Sequence, residues 1–575
     1  MQRNLDALND GEFDILVIGG GASGAATARE AALRGLRTAL IERDDFGGGA
    51  SAHCFKVVHG GIRYLQHGDV RRLRTSCGER SAFLRIAPHL VSPLPFAIPT
   101  YGWGRSSKWF LGTGMRIYDA LSADRNSGIT DQSRQVPGTR FIGRDQTIEL
   151  FPFVERGNLT GAAIFDDGQM YNPPRLVLAL VNAAVARGAV VANYVGAEHF
   201  LMKGNRVVGV RARDHVGGLA FDIRARLVIN AAGPWAEGLL QTLPARDNTE
   251  PGTYSRDACF VINRRFHPTM AIAVPGRTRD ADALLARATR HLFLVPWRDR
   301  TLVGVWHKVV AREPDLVNLE RSELLQFIEE MNAGCPGLAL SEADVCISGF
   351  GLVPFGKAAQ QGAASISFGK ESRLTDHWHQ NRLAGLITLV SVRYTVARID
   401  AEAALDLACR QLSVDATTSE SKSARVPGAE FDDFPKFLAD CQRVRPGWMT
   451  EAATESLARN YGSVIERVLG HARSNPALQG LLPGTDVSFA EVLHVIREEM
   501  AVHMSDIVFR RTNLGTAGHP GELALQSLQD FLHQHCGWDR RRIDEERTAV
   551  DRHYARYFQS PGGPSAAPGS ISQLR

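Results

Sequence analysis

The chain has 575 residues, enough for more than one domain, with 44% apolar and 22% charged residues. That balance excludes a fibrous or globally disordered chain. The net charge of +4 comes without any Lys/Arg block, so no nucleic-acid surface is expected. Eight scattered cysteines include no C-x-x-C pair, which excludes the usual zinc and dithiol motifs and fits reduced thiols. The first residues, MQRNLDALNDGEFD, lack the apolar segment of a secretory signal, and no run of about 18 apolar residues appears. The expectation is a cytoplasmic protein, with peripheral contact at the inner face of the cell membrane left open.

In chain order, FDILVIG (Phe13 to Gly19) is a continuous apolar run, as in a parallel strand buried on both faces. Gly19-Gly20-Gly21-Ala22-Ser23-Gly24 follows and fits G-x-G-x-x-G. In that pattern Gly19 permits the tight turn and Gly21 admits the pyrophosphate, while Gly24 lets helix and strand pack closely. An Ala-rich helix over Ala22 to Arg34 should stop at Gly35, its N-terminus presenting N–H groups and a positive dipole end to phosphate. A second strand, Leu36 to Ile41, ends in Glu42, 18 residues after Gly24, where a ribose hydroxyl finds its acceptor. An acid there, rather than a basic residue, disfavours a 2′-phosphate. Together these features indicate a bound dinucleotide.

A small-residue loop, RDDFGGGASAHCFKVVHGGIRYLQHGDV, comes next. Trp109, Phe110, Leu111, Met115 and Ile117, flanked by Arg105, Lys108 and Arg116, read as core or as an interfacial patch. An apolar strand, Leu227-Val228-Ile229, leads into Asn230-Ala231-Ala232-Gly233-Pro234-Trp235. Residues 12–412 alternate strand and helix patterns, and residues 413–428 are polar and read as a linker. Residues 429–557 read as a helical domain, in which Val492, Ile496, Met500 and Ile507 share a face of one helical stretch from Phe489 to Phe509. The tail 558–575 is Pro/Gly/Ser-rich and is expected to be disordered.

The long loop resembles that of the FAD-dependent glycerol-3-phosphate dehydrogenase family. The matching positions are Asp45, Phe46, Gly49, Ala50, Ser51, Lys56, His59, Gly60, Gly61, Ile62, Arg63, Tyr64 and Leu65. The strand at 227–229 with its Ala-x-Gly-Pro-Trp turn, and VHMSDIVFRRTNLG from Val502 to Gly515, are similar to two further family segments. The resemblance covers roughly residues 12–515. It implies an α/β chain, α+β overall: a Rossmann-type FAD-binding domain, an inserted antiparallel-sheet substrate domain and a C-terminal helical domain. It also implies FAD held by Gly19, Gly21, Ser23, Gly24, Glu42, Arg43, Gly49, Ala50, Ser51, Lys56, His59, Gly60, Gly61, Val195, Ala232, Gly233, Trp235 and Arg398.

The implied activity is oxidation of a phosphorylated polyol, sn-glycerol 3-phosphate, with electrons passed to a quinone or another acceptor. A homodimer is among the expectations. Arg63 and Tyr64 match family residues near the substrate, and Arg63 suits a bidentate phosphate contact. Arg393 stands where the family has a lysine near the flavin ring; it keeps the charge and changes its geometry. Several positions depart from the pattern. A substrate-binding arginine of the family is Gly351 here. Losing such a contact costs about 1.5–3 kcal/mol, unless Lys357, Lys370 or Arg373 reaches in. The family's Gly-Thr-Thr-Asp is Gly304-Val305-Trp306-His307, and its Lys-Gly-Ser-His is approximately Asp257-Ala258-Cys259-Phe260. His307 suits a proton acceptor near neutral pH. His53 and Cys54 replace small hydroxyl residues and raise the option of a covalent flavin link through His53. These departures keep two other readings open: a different hydroxy or amino substrate, and a flavin-binding partner protein without turnover.

Overall fold

The computed structural model describes residues 1–103, 107–243, 253–279, 289–311, 314–354, 372–415 and 417–557. The tail 558–575, Lys357 and Lys370 lie outside the described residues.

The apolar runs read as buried parallel strands form the centre of the first sheet. Its strand order is Arg373–Asp376, Leu386–Val390, Ala220–Asn230, Glu12–Ile18, Thr38–Ile41, Val190–Ala192. All neighbours are parallel except the first pair. Ile18 is level with both Asn230 and Ile41, so three carboxyl ends open at one edge, the usual place for a ligand in such a sheet. One face is covered by the helices Ala22–Leu33, Pro173–Val185 and Ala397–Leu412. A hairpin, Val195–Lys203 with Arg206–Asp214, joins the sheet along Ala220–Asn230 and packs with Leu8, Phe13 and Leu16.

The second sheet is mixed. Its order is Val345–Pro354, Thr253–Ile262, Arg300–Ala311, Thr289–Trp297, Ala271–Arg279, Val91–Tyr101, Leu159–Met170, Val57–Val58, with Arg140–Gly143 beside Leu159–Met170. Only the pairing of Ala271–Arg279 with Val91–Tyr101 is parallel. Strand alternation separates its two faces. Phe260 and Trp306 turn to the helix Arg321–Gly334, where both rings meet Phe327. The neighbouring Asp257 and His307 turn the other way, towards the first sheet.

The C-terminal region is helical, with helices including Glu451–Tyr461, Ile465–Ser474, Glu522–Cys536 and Arg540–Arg556. The single helical stretch expected from Phe489 to Phe509 is corrected: the helix ends at Glu498, and Met500 has φ +56°. The Met500 carbonyl accepts a bond from Asn193 of the first sheet's edge, and a π-helical turn follows over Ile507–Arg511. The described residues of the polar segment 413–428 form no helix or strand but are packed: Arg29 donates to the carbonyls of Ser421 and Ala424, and Val426 is fully buried.

Candidate active site

Between the two sheets and the C-terminal helices lies a cavity of about 1900 Å³. Pockets for one small ligand run to about 300–1000 Å³. The space suits a dinucleotide plus a substrate.

At one end is the cradle. Gly19 has φ +102°, and a Cβ there would lie 2.7 Å from the Ala231 carbonyl oxygen. A Cβ on Gly24 would meet the Gly19 carbonyl oxygen at 1.7 Å, so only glycine lets the helix approach the strand. Gly21 faces the cavity, limited by Ser51 Oγ, which accepts the Ala22 N–H at 3.0 Å. The helix start carries no side-chain cap, as an anion-binding terminus requires. Glu42 accepts from the N–H groups of Gly20 (2.6 Å) and Asp44 (2.8 Å). Burial outweighs these bonds and pushes its carboxyl up to about 7. Ser23, Val195, Ala232 and Gly233 line the same end. Arg43 lies over the Trp235 ring at 5.2 Å, and Trp235 donates to Asp315.

The loop Gly49-Ala50-Ser51 also lines the cavity and carries it beneath the second sheet. There Gly351, Asp257 and His307 stand directly opposite one another on three adjacent strands. The position lacking the family's arginine and the unexpected histidine are therefore neighbours, with Asp257 between them. Asp257 bonds to His307 Nδ1, and Ser255 Oγ donates to the same Asp257 carboxylate. Arg63, Tyr64 and Arg393 also line the cavity, as does His291 on the strand Thr289–Trp297, which lies beside the strand that carries His307. Arg393 lies 5.1 Å over the Tyr64 ring and donates to Ser76 Oγ at 3.0 Å. Its Nε is buried and has no hydrogen-bond partner among the described residues. Burial, assisted by Arg63, keeps His291 below the ordinary histidine range.

Not every residue expected at the cofactor lines the cavity. Arg398 does not: its guanidinium is buried against Glu79 (2.6 and 2.8 Å), Glu402 and Ser421, because the helix begins at Ala397 and turns it towards Val70–Ile86. Lys56 has φ +57° and lies 4.6 Å over the Trp297 ring, in a small cavity that adjoins the large one at His53 and Cys259. Gly60 is buried under Arg80 and donates to Asp167 at 2.6 Å. Its neighbour Gly61 lines the cavity with φ +79°. His59 does line the cavity and bonds to Asp167 (3.1 Å). Burial would raise the Asp167 carboxyl, but His59, Arg80 and the Gly60 N–H hold it low.

Comparisons with known proteins agree with this geometry. A model of the FAD dependent oxidoreductase family matches residues 14–379, and one of the C-terminal domain of alpha-glycerophosphate oxidase matches residues 419–543. A glycerol-3-phosphate dehydrogenase of Synechocystis sp. is 30% identical over 556 residues, covering 95% of this chain and 96% of the relative. The chain belongs to the FAD-dependent glycerol-3-phosphate dehydrogenase family. The mitochondrial enzyme of Bos taurus is 28% identical over 564 residues, covering 94% of this chain and 72% of the relative. Among solved structures, the glycerol-3-phosphate dehydrogenase of Bacillus halodurans complexed with FAD superposes with a TM-score of 0.73 at 22% identity, over 96% of each chain. The L-alpha-glycerophosphate oxidase of Mycoplasma pneumoniae with FAD bound gives 0.52 at 14% identity, over 72% of this chain and 99% of that one.

As a member of this family the protein is an FAD-dependent oxidoreductase. The uncapped helix start, the glycine contacts and the Glu42 acceptor fit FAD. In the sequence nothing places Asp257, His291 or the last helix, Arg540–Arg556, at the site, yet all of them reach the cavity. That helix brings His553 and Arg556, with Tyr557 just beyond it, to the cavity wall. An acid and a histidine 50 residues apart in the chain leave no mark in sequence spacing; only the register of two neighbouring strands pairs them.

Proposed function

We propose that the protein oxidises the secondary alcohol of sn-glycerol 3-phosphate to dihydroxyacetone phosphate by hydride transfer to flavin N5, and passes the electrons to a quinone. The reading rests on one observation: two arginines, Arg63 and Arg393, line the same cavity as the His307–Asp257 pair. In this reading the arginines hold the phosphate. His307 takes the hydroxyl proton. Asp257 accepts the Nδ1–H and leaves Nε2 as the basic nitrogen, the usual way to fix a tautomer. FAD supplies the two-electron acceptor. The relatives' names support the substrate.

The quinone and a peripheral membrane contact are read from one helix. Lys108–Leu121 lines the cavity through Phe110, Leu111, Met115 and Ile117, and exposes Trp109 at 76% and Ile117 at 46%. No helix among the described residues is long and apolar enough to cross a membrane.

A second reading, a hydroxy or amino substrate without phosphate, is favoured by the row itself. Gly351 offers no cation, and a Cβ there would already press on Ala50 at 3.3 Å. Anaerobic mixing separates the two. Glycerol 3-phosphate should bleach the flavin rapidly, and His307→Gln should slow bleaching by at least about 10²-fold. Bleaching only by an unphosphorylated alcohol or amine would replace the first reading with the second.

A further inference from the structure

We propose that His471, His494 and Glu498 form a binding site for a divalent transition metal of the zinc class, where two helices of the C-terminal region meet. None of the three lines the large cavity. The inference therefore uses neither the flavin nor the substrate reading.

The pattern begins in the sequence. His494 and Glu498 are four residues apart on the helix Phe489–Glu498 and so share one face. His471 stands in the last turn of the helix Ile465–Ser474. The two helices pack together in the core that holds Val468, Leu469, Val492 and Val495. That packing brings the two imidazole centroids to 5.6 Å.

The ligand atoms converge. His471 Nε2 lies 3.3 Å from Glu498 Oε1, and His494 Nδ1 lies 3.7 Å from the same oxygen. All three ligand atoms lie within 4.8 Å of one another. A zinc ion with nitrogen and oxygen ligands at about 2.0–2.2 Å holds them about 3.3–3.6 Å apart around a tetrahedron. The two nitrogen–oxygen separations are close to that spacing. Both nitrogens are buried, and neither makes a hydrogen bond among the described residues. An unbonded imidazole nitrogen does not by itself mark a ligand. Here two of them turn to one carboxylate oxygen, and one belongs to His494, which is 2% exposed. Among the described residues no other group of three or more His, Cys, Asp and Glu side chains brings its ligand atoms this close together.

The surroundings hold the set in place. The Tyr461 ring meets His494 edge-on at 5.5 Å. Glu499 Oε1 lies 3.9 Å from His494 Nε2, so a carboxylate stands behind the ring, as it does for many metal-bound histidines. Arg467 pairs with Oε2 of Glu498 and leaves Oε1 to the histidines, and the Met1 amino group donates to the Glu498 carbonyl. Two imidazoles with one carboxylate suit zinc and its neighbours, whereas calcium and magnesium take oxygen ligands. His471 and Glu498 are partly exposed, which lets water complete a fourth position.

The location gives the ion something to hold. Glu498 closes its helix just before the interruption at Met500, and Glu499 pairs with Arg175 on the helix Pro173–Val185 of the first sheet. A metal at Glu498 pins both C-terminal helices beside that junction. Because it binds the folded chain, it raises stability.

Untagged full-length holoenzyme, stripped of metal by a chelator, is titrated with zinc chloride alone in a calorimeter. One ion per chain should bind with a micromolar or tighter Kd and raise the melting temperature. Cobalt(II) in its place should give the intense visible bands of tetrahedral coordination. His471→Ala and Glu498→Gln should each weaken zinc binding at least about 100-fold and abolish those bands, with flavin content unchanged. His471→Cys returns a ligand atom and should restore binding, with added sulfur-to-cobalt absorption. Three results overturn the proposal: binding no tighter than millimolar, zinc affinity that survives both His471→Ala and Glu498→Gln, or a pale octahedral cobalt spectrum. A His471→Ala protein that melts lower without metal yet binds zinc as its parent does also overturns it, and leaves an ordinary ion pair between helices. None of these results depends on which substrate bleaches the flavin.

Discussion

Glu42 shows how a single side chain couples cofactor binding to pH. Burial pushes its carboxyl up to about 7, against two backbone N–H donors. Ribose hydroxyls donate to the ionised form, so bound FAD must lower this value. FAD affinity therefore falls as pH drops below about 7, by at most about tenfold per pH unit. Titration of flavin fluorescence at pH 8 and pH 6 measures the slope. Glu42→Gln should weaken binding about 10- to 100-fold, the cost of a charged hydrogen bond, and flatten the pH dependence. At the same scale, Arg398 shows the limit of reading roles from a motif: its position matches the family, but its guanidinium is consumed by Glu79 and Glu402.

Between elements, the decisive contact is Asp45 with the arginines of the turn Ile507–Arg511. Asp45 accepts from Arg511 at 2.6 and 2.7 Å, from Arg510 at 2.7 Å and from Asn193 at 2.8 Å, all buried. Burial alone would raise its carboxyl; Arg511 and Arg510 outweigh that and hold it at about 2. With the folded value below the unfolded one, the stabilisation is complete above about pH 4 and is lost as pH falls towards 2. Asp45→Asn leaves buried guanidinium charge uncompensated and should cost about 3–5 kcal/mol at pH 7. Urea melts at pH 7 and pH 3 check both points: the gap between variant and parent should narrow at pH 3. Arg175 with Glu499 makes a second buried tie between the same regions.

Over the whole molecule, these ties imply one cooperative unit across the two sheets and the C-terminal helices. FAD at a hundred times its Kd should raise the stability of that unit by about 2.7 kcal/mol. Calorimetry should then show a single transition moving upward, rather than one moving and one stationary. The outer surface carries its own prediction. Trp109 is 76% exposed on a helix that also lines the cavity. Trp109→Ser should reduce co-sedimentation with anionic lipid vesicles while leaving flavin content unchanged, since the exposed ring packs into no core.

The cradle, the loop after Glu42 and the parallel strands were legible in the amino-acid sequence because their determinants are local. A Cβ clash at Gly24, a positive φ at Gly19 and an apolar run from Phe13 each act within a few residues of themselves. The interruption after Glu498 was not legible, because an apolar face can continue past a break that Met500's backbone and Asn193 create together. The reactive end of the cavity was legible only as a set of anomalies at His307, Gly351 and His53. Strand register over some fifty and one hundred residues of chain turned the first two into a row with Asp257. Packing of the last helix placed an aromatic stack on the third. Local chemistry thus determined by itself that a dinucleotide is held and by which turn. Which side chains face the reacting atoms is a matter of distant segments meeting, and only the tertiary structure decided it.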